Sequence, residues 1–342
     1  MKIAVDAMGG DNAPQAIIEG VEQARDMYSD IEFLLFGNPE KVKPFIKNED
    51  RLTIVETTEE IEMGEEPVRA IRKKKDSSIV RAAKAVKDGE ADAFLSAGNT
   101  GAVLAAGIFV VGRIKGIDRP GLTSILPITQ PGSDRKSFVY LDSGANAESK
   151  ERNLVDYAYL GKFYAENVLN VENPRVALLN NGAEEDKGDK LHKAVWQALN
   201  KEEGLNFVGN IESGDLLYGH ADVVVSDGWT ANAALKATEG TAKMLLTLIK
   251  NGIMNGGLRA KIGYLFLKPV FHKIGKVMKT SNYGGAGMLG LKAPVVKTHG
   301  SSDADAVKST IGQIHAMLES GVIDKTVEFF SQESSVDKSE EN

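Results

Sequence analysis

The chain has 342 residues, of which 42% are hydrophobic and 26% charged, with a net charge of −7 and no cysteine. This length and composition suit a globular protein with a buried core. The lack of cysteine excludes disulfides, thiolate zinc sites and a cysteine nucleophile. The first residues lack the apolar run of a signal peptide, and no apolar stretch is long enough to span a bilayer, so we expect a cytoplasmic protein.

Apolar, β-branched runs alternate with amphipathic segments along most of the chain, and nine of these runs predict strands. The alternation predicts an α/β fold with a mainly parallel sheet and helices on both faces. We expect one domain over residues 1–330 and a disordered acidic tail over residues 331–342. The predicted strands cover residues 2–7, 31–37, 51–56, 91–98, 137–144, 175–182, 206–211, 222–228 and 293–300.

Six of the predicted strands end in small, polar or glycine-rich residues. Ligands of parallel sheets bind beyond the carboxyl ends of the strands, and glycine lets backbone N–H groups approach an anion. One such loop is usually a simple turn with a helix cap, but six in one chain favour a shared anion-binding cleft. The six loops are residues 6–11, 96–101, 142–146, 180–185, 227–232 and 299–302.

Known nucleotide and metal signatures fit poorly. Residues 285–290 match G-x-G-x-x-G, but no predicted strand precedes them and a strand-like segment follows, so we interpret them as a flexible loop. The five histidines have no paired spacing that would indicate a metal site. His299 alone lies in one of the six loops, either as a general acid, base or phosphate ligand, or as a loop histidine without a catalytic role.

Between Gly240 and Ser302 the chain carries ten Lys or Arg residues and no Asp or Glu, which indicates an anionic partner. Apolar residues recur at helical spacing within this window, and we expect a protruding helical hairpin over residues 250–280 with Pro269 opening its second helix. Its apolar side would enter a lipid surface. Alternatively it packs on a second subunit, or the window is only solvated surface. The residues expected to face lipid are Leu265, Phe266, Val270 and Phe271.

A second cationic cluster lies at residues 69–75. Arg69, Arg72 and Lys73 would dock an acidic protein or a phosphate-bearing ligand. The alternative is the solvated face of a helix.

The chain resembles the PlsX family of phosphate acyltransferases of bacterial phospholipid synthesis over residues 1 to about 325. The resemblance depends on many loop sequences in the same order. They read DAMGGDNAP, PVRAIRKKKDSS, SAGNTGA, GRIKGIDRP, LDSGAN, NNGAEEDKG, VVSDGWTAN, LKATEG, NYGGAGMLGLKAPVVK and HGSSD.

This resemblance implies transfer of a long-chain fatty acyl group from acyl carrier protein to inorganic phosphate, which gives an acyl phosphate. It also implies a Rossmann-like fold akin to isopropylmalate dehydrogenase and phosphotransacetylase, and a homodimer that binds membrane peripherally. No cofactor, metal or nucleic acid is expected.

For this chemistry we expect phosphate near Ser96, Asn99, Thr100 and Gly101, with help from Asn146, Lys187 or His299, and the thioester beside Asp227 and Asn232. The residues expected to act in catalysis are Asp227, Asn232, His299 and Lys187. Those expected to bind substrate are Asp6, Gly9, Gly10, Asp11, Ser96, Asn99, Thr100, Gly101, Asp142, Asn146, Lys236 and Glu239.

Two other functions stay open on the sequence. One is a decarboxylating dehydrogenase of the related fold, which needs NAD(P) and a divalent metal. The other is a scaffold on a lipid surface whose cleft has no activity.

Overall fold

The structure, a computed structural model, describes residues 1–130, 133, 135–278 and 283–340. Its strands are β1 (Lys2–Asp6), β2 (Glu32–Gly37), β3 (Leu52–Glu56), β4 (Ala93–Ser96), β5 (Gly121–Pro127), β6 (Ser137–Leu141), β7 (Arg175–Asn180), β8 (Asn206–Glu212), β9 (Val223–Val225), β10 (Ala286–Leu289) and β11 (Val295–Lys297). Its α-helices are α1 (Gln15–Met27), α2 (Pro39–Val42), α3 (Pro67–Lys73), α4 (Ser78–Lys87), α5 (Thr100–Ala106), α6 (Glu151–Asn167), α7 (Lys190–Leu199), α8 (Gly228–Asn255), α9 (Gly257–Met278), α10 (Ala304–Glu319) and α11 (Val322–Glu340). Among the described helices, none combines the length and apolar character needed to cross a bilayer.

The strands form one eleven-stranded sheet in the order β3-β2-β1-β4-β11-β10-β5-β6-β9-β7-β8. Neighbouring strands are parallel except at β11–β10, β10–β5 and β5–β6. The predicted mainly parallel α/β fold is therefore confirmed. Most strands are buried along their length, as expected when helices cover both faces of a parallel sheet.

Strand β5 joins two sets of strands that run in opposite directions. Its first half pairs with β10 and its second half with β6, both antiparallel. On one side, Lys297 at the end of β11 pairs with Ala286 of β10. The next residue of β10, Gly287, pairs with Thr123 of β5. At the other side, Leu141 ends β6 just beyond the pair formed by Ser124 and Tyr140. The carboxyl ends of both sets therefore meet near the middle of β5.

All nine predicted strands are present, and two further strands, β5 and β10, were not predicted. Residues 286–289 form the strand β10, so the predicted flexible loop over residues 285–290 is wrong. The segment Ala-Gly-Met-Leu has no β-branched residue, and its strand state depends on pairing with β5 and β11 on either side. It also lacks the strand–turn–helix context of a dinucleotide fingerprint.

Helices pack on the two faces of the sheet and enclose the core. Helix α1 lies against α10, while α6 covers β6 and β9, and α4 covers β1 and β2. Phe33, Phe94, Phe138, Tyr157 and Tyr164 are among the largest fully buried side chains. Burying one large apolar side chain of this kind stabilises the fold by roughly 1.5–3 kcal/mol. It also fixes the strand ends that carry the loops.

Helices α8 and α9 occupy the segment where a hairpin was predicted. The two helices contact each other, and the chain turns between them at Gly256–Gly257. Gly257 has φ +71°, a left-handed conformation that favours glycine. The expected break at Pro269 is wrong, because Pro269 lies inside α9. Residues 279 and 280 lie outside the described residues. Protrusion of this pair of helices stays a prediction.

The segment expected to be a disordered tail begins within α11. This helix continues through Glu340, so residues 331–340 of the predicted tail are helical in the structure. Residues 341–342 lie outside the described residues. Disorder of this segment in solution stays a prediction.

Candidate functional site

A cleft of about 960 Å³ opens where the two sets of strands meet. Its walls come from β5, from the loops that follow β4, β6 and β11, and from one face of α8. Of the sequence-predicted residues, the cleft brings together Thr100, Asn232, Lys236, Glu239 and His299. Loops from four of the six predicted strand ends thus contribute to one site.

The most unusual cleft residue is Lys297, which ends β11 and is only 7% exposed. Its ammonium donates to the carbonyl oxygens of Ala97 and Thr298. An ammonium has three hydrogens to donate, and among the described residues no acceptor takes the third. Burial lowers the pKa of Lys297 to about 8, although the nearby carboxylates of Asp6 and Asp11 oppose this shift. A partly desolvated cation with a spare donor suits an anionic ligand.

The loop after β11 places further polar groups beside Lys297. Nδ1 of His299 lies 2.9 Å from Oγ of Ser301 and accepts the backbone N–H of Ser301 at 3.2 Å. Because Nδ1 accepts that N–H, the neutral ring carries its proton on Nε2. Thr298 and Ser302 are buried and their hydroxyl oxygens are 2.8 Å apart. The loop leads into α10, whose N-terminal residues Asp303 and Ala306 also line the cleft.

The facing wall starts at the N-terminus of α8. Asp227 caps this helix by accepting the N–H groups of Trp229 and Thr230 at 3.1 and 2.9 Å. Asn232 follows one turn later and lies against the loop after β6. A Cβ added at Gly144 of that loop would be 3.3 Å from the Cβ of Asn232. Gly144 has φ +133°. A side chain at that position would therefore both strain the backbone and crowd Asn232.

Asp227 also contacts His192, a residue that does not line the cleft. Its Oδ2 is 3.6 Å from Nε2 of His192, and Nδ1 of the same histidine is 2.7 Å from Asp189. His192 is nearly buried and lies on α7. It therefore connects the start of α7 to the start of α8, so that the cap of α8 is held from both sides.

Several predicted ligands instead hold loops together. The amide nitrogen of Asn99 donates to the carbonyls of Glu62, Met63 and Glu65 at 3.0–3.1 Å, and its oxygen caps α5 through Ala102. With both ends of the amide engaged, the side chain anchors the loop before α3. Gly101 packs on Pro67 in the same region, where a Cβ would be 2.3 Å from Cγ of the proline; it is not among the residues that line the cleft.

Asp142 and Asn146 form a second internal anchor. The Asp142 carboxylate is fully buried and accepts the backbone N–H groups of Leu122, Gly144, Ala145 and Asn146. Burial raises the pKa of this carboxyl, while these hydrogen bonds oppose the shift. The amide nitrogen of Asn146 donates to Asp142, to the Pro120 carbonyl and to Tyr157. These contacts shape the loop that supports Asn232.

Asp6, Gly9 and Gly10 line a smaller cavity of about 180 Å³ next to the cleft. The buried Asp6 carboxylate accepts the N–H groups of Met8 and Gly9 and, at 2.6 Å, the hydroxyl of Ser96. Burial raises the pKa of Asp6. Asp11 donates its backbone N–H to the Gly300 carbonyl at 2.7 Å. The first loop therefore supports the loop of His299 from behind.

The remaining predicted cations and carboxylates form ion pairs. Lys236 and Glu239 pair at 2.8 Å within the cleft. Lys187 lies 3.7 Å from Glu184 on the loop after β7 and is not among the residues that line the cleft.

Lys297 and His192 are site residues that were not predicted from the sequence. Lys297 lies two residues before the predicted loop of residues 299–302, at the end of the run Val-Val-Lys. A lysine that ends a buried strand was the available signal. His192 gives no such signal, because Asp227, its partner at the start of α8, comes from a distant part of the chain.

The predicted docking residues are exposed on the surface. Arg69, Arg72 and Lys73 lie on α3, which packs against α5 and hence against the side of the cleft that carries Thr100. On α9, Leu265 and Phe266 are 67% and 80% exposed, and Val270 is exposed as well, whereas Phe271 is partly buried beside the ring of Tyr264.

Comparisons with known proteins agree with this architecture. The profile of the family described as "Fatty acid synthesis protein" matches residues 1–325. The phosphate acyltransferase of Limosilactobacillus reuteri (strain DSM 20016) is 78% identical over 342 residues, which cover 100% of both chains. That of Levilactobacillus brevis is 58% identical over 334 residues, 98% of this chain and 96% of the relative.

Among solved structures, a phosphotransacetylase from Streptococcus pyogenes is similar, with a TM-score of 0.59 at 15% identity, covering 95% of this chain and 94% of that one. A branched-chain phosphotransacylase from Enterococcus faecalis V583 has a TM-score of 0.58 at 16% identity, with coverage of 93% and 99%. At such identities the likeness concerns the fold alone, and it confirms the expected similarity of fold to phosphotransacetylases.

Proposed function

The chain belongs to the fatty acid synthesis protein family and is an acyltransferase of the phosphate acyltransferase type, and on that premise we propose that it transfers a long-chain fatty acyl group from acyl carrier protein to inorganic phosphate. The product is an acyl phosphate, for use in phosphatidic acid and phospholipid synthesis. The observation that carries the proposal is Lys297, a buried ammonium with a spare donor in a cleft lined by small polar loops.

In the proposed reaction, a phosphate oxygen attacks the carbonyl carbon of the thioester. A C–O bond forms, the C–S bond breaks, and the thiolate of the carrier leaves and takes up a proton. Phosphate is itself the nucleophile, so no covalent enzyme intermediate is needed. The site has to orient the two substrates and stabilise the charge that develops on the carbonyl oxygen.

Phosphate is assigned to the Lys297 side of the cleft. The third hydrogen of the Lys297 ammonium and the polar groups around Ser301 would donate to it, and the N-terminus of α10 adds a favourable potential. Thr100 faces the same space. The Asn99 side chain, with its amide engaged elsewhere, is assigned to positioning.

The thioester is assigned to the facing wall, beside Asn232. Its side-chain amide can donate to the carbonyl oxygen, and Nε2–H of His299 can donate a hydrogen bond that stabilises the departing thiolate. Asp227 acts by holding the start of α8, with His192 behind it. Lys236 and Glu239 fix the next turn of the same helix. Lys187 is assigned to the rim, where it can meet a charged part of the incoming substrate.

The carrier protein is proposed to dock at Arg69, Arg72 and Lys73. These exposed cations lie on α3, beside the helix that begins at Thr100. Attraction between these cations and an acidic carrier protein would speed association more than it would strengthen the final complex.

The protein is further proposed to act as a homodimer that associates peripherally with an anionic membrane surface. Exposed apolar side chains on α8 and α9, among them Leu265, Phe266 and Val270, support this proposal, because patches of this kind mark interaction sites. The lysines interspersed with them would add attraction to anionic headgroups of roughly 1 kcal/mol each. A second subunit is the alternative occupant of this surface.

A thioester-consumption assay separates this proposal from its rivals. Purified protein is incubated with acyl carrier protein thioester with and without inorganic phosphate, and with NAD(P) and Mg²⁺ in parallel. The proposal expects thioester loss that depends on phosphate and is indifferent to NAD(P). Turnover that needs NAD(P) would indicate the dehydrogenase, and vesicle binding without turnover would indicate the scaffold.

A further inference from the structure

One face of α8 forms a continuous wall of the cleft over most of the length of the helix. The lining residues recur every three or four positions, which places them on a single stripe. They include Asn232, Lys236, Glu239, Lys243, Leu246 and Lys250. The cleft is therefore a long groove that leads away from Asn232, and not a compact pocket.

The three lysines of this stripe differ in their electrostatic state. Lys236 is neutralised by Glu239 at 2.8 Å. Lys243 and Lys250 have no carboxylate or other side-chain partner among the described residues, and the sequence offers no Asp or Glu between Gly240 and Ser302. Two unneutralised cations thus face the groove, where they attract an anionic group of a ligand.

The spacing along the helix selects one of them. At 1.5 Å per residue, Lys243 lies about 16 Å beyond Asn232 along the helix axis, whereas Lys236 lies about 6 Å and Lys250 about 27 Å beyond it. A ligand that places its reacting carbonyl at Asn232 and an anion about 16 Å away would therefore meet Lys243.

The phosphopantetheine arm of an acyl carrier has this length. Thirteen bonds separate its thioester sulfur from its phosphorus, which spans about 16 Å at the extension per bond of an extended polypeptide. The arm is a string of methylenes and amides that ends in a phosphodiester anion. The wall facing α8 offers Leu126, Pro127 and Leu217 to its apolar parts.

Building on the proposed function, we propose that Lys243 binds the phosphodiester of the carrier's phosphopantetheine arm. The groove then measures the donor, because an anion held at Lys243 favours the position in which the thioester lies at Asn232. The recognised class is a thioester that carries a 4′-phosphate, and pantetheine thioesters without it are poorer donors.

The test compares pairs of ligands that differ only in the 4′-phosphate. Kinetics would use acyl-4′-phosphopantetheine and acyl-pantetheine with the same acyl chain, and calorimetry would use the two unacylated arms. Wild-type protein should prefer the phosphorylated member of each pair by about two- to fivefold, the range of an exposed ion pair, and added salt should reduce the preference.

The variant Lys243→Gln should lose this preference, with the KM for acyl-pantetheine and the turnover number kept. Lys250→Gln is the matched control on the same stripe, and it should keep the wild-type ratio. A wild-type ratio in Lys243→Gln, an equal loss in Lys250→Gln, or no preference in the wild type overturns the proposal. If wild-type protein turns over neither these thioesters nor acyl carrier protein thioester, the proposed function fails, while the calorimetric comparison still decides the role of Lys243.

Discussion

Lys297 combines burial with a site-facing position, which makes its charge state sensitive to pH. The ammonium loses hydration on folding and gains only two carbonyl acceptors, so the neutral form is favoured more than in water. With its pKa near 8, the side chain is charged below that pH and neutral above it. Phosphate binding should follow this charge.

The first prediction concerns the KM for phosphate in wild-type protein and Lys297→Gln. At pH 7 the variant should show a KM about tenfold or more above wild type, because a charge-assisted hydrogen bond is lost. As pH rises through about 8, wild type loses its own charge and the two values should converge. A constant ratio between pH 7 and pH 9.5 would contradict the role of Lys297. Thermal unfolding of both proteins serves as the control for folding.

A second prediction concerns Asn99. Asn99→Ala should lower the free energy of unfolding by roughly 1–3 kcal/mol, because it removes a helix cap and three bonds to backbone carbonyls. Urea denaturation measures this change. Phosphate KM should change less than in Lys297→Gln, and Asn99→Asp should recover the cap alone. An unchanged free energy of unfolding together with a large rise in the KM for phosphate would instead support Asn99 as a phosphate-binding residue, as predicted from the sequence.

At this scale the sequence identified the loops but not the duty of each side chain. Asn99, Asp142 and Asn146 all follow predicted strands, as ligands do, yet their polar atoms are used up by neighbouring backbone groups. Whether a polar side chain at a strand end turns to the ligand or to its own loop depends on contacts from distant segments. Those contacts leave no local pattern.

At the scale of elements, periodicity was sufficient for the parallel strands and insufficient for β5 and β10. Parallel strands are buried on both faces and read as apolar runs. The two missed strands are glycine-containing and antiparallel, and β10 lacks β-branched residues altogether. They are also the strands that reverse the direction of the sheet and create the cleft. The site was therefore predicted from loops, without the elements that bring the loops together.

The pair α8 and α9 supports a prediction on membrane binding. Replacing Leu265 and Phe266 by serine should reduce binding to vesicles that contain anionic lipid, because about 1.5–3 kcal/mol of apolar burial is lost for each side chain. Vesicle sedimentation measures this, and thioester turnover in solution should persist. Met27→Ser, at another exposed apolar residue, is the control. Unchanged sedimentation of the double variant would favour a second subunit on this surface.

Helix α3 supports a prediction on carrier docking. Charge reversal in Arg69→Glu with Arg72→Glu should raise the KM for acyl carrier protein thioester and leave that for a small acyl-pantetheine thioester unchanged. Salt should diminish the difference, since exposed charges are screened over about 10 Å at 0.1 M ionic strength. Equal effects on both donors would point to a disturbed cleft, because α3 packs on α5.

Over the whole molecule, charge is distributed unevenly. The net charge is −7, yet residues 240–302 carry cations only, and part of this cationic window lines the cleft. A field of this kind guides anionic substrates to one side of a protein that is acidic elsewhere. Two opposed sets of parallel strands, joined at β5, supply the frame in which phosphate, a thioester and the cationic wall of α8 can meet.

The identity of the product tests whether the acyl group passes directly to phosphate. Wild-type protein would be incubated with acyl carrier protein thioester and inorganic phosphate, and the mixture followed by phosphorus-31 NMR together with a thiol titration. We predict a new acyl phosphate resonance that grows in equal amount to the free thiol released. Thiol release at the same rate without phosphate, or without an acyl phosphate signal, would contradict direct transfer to phosphate.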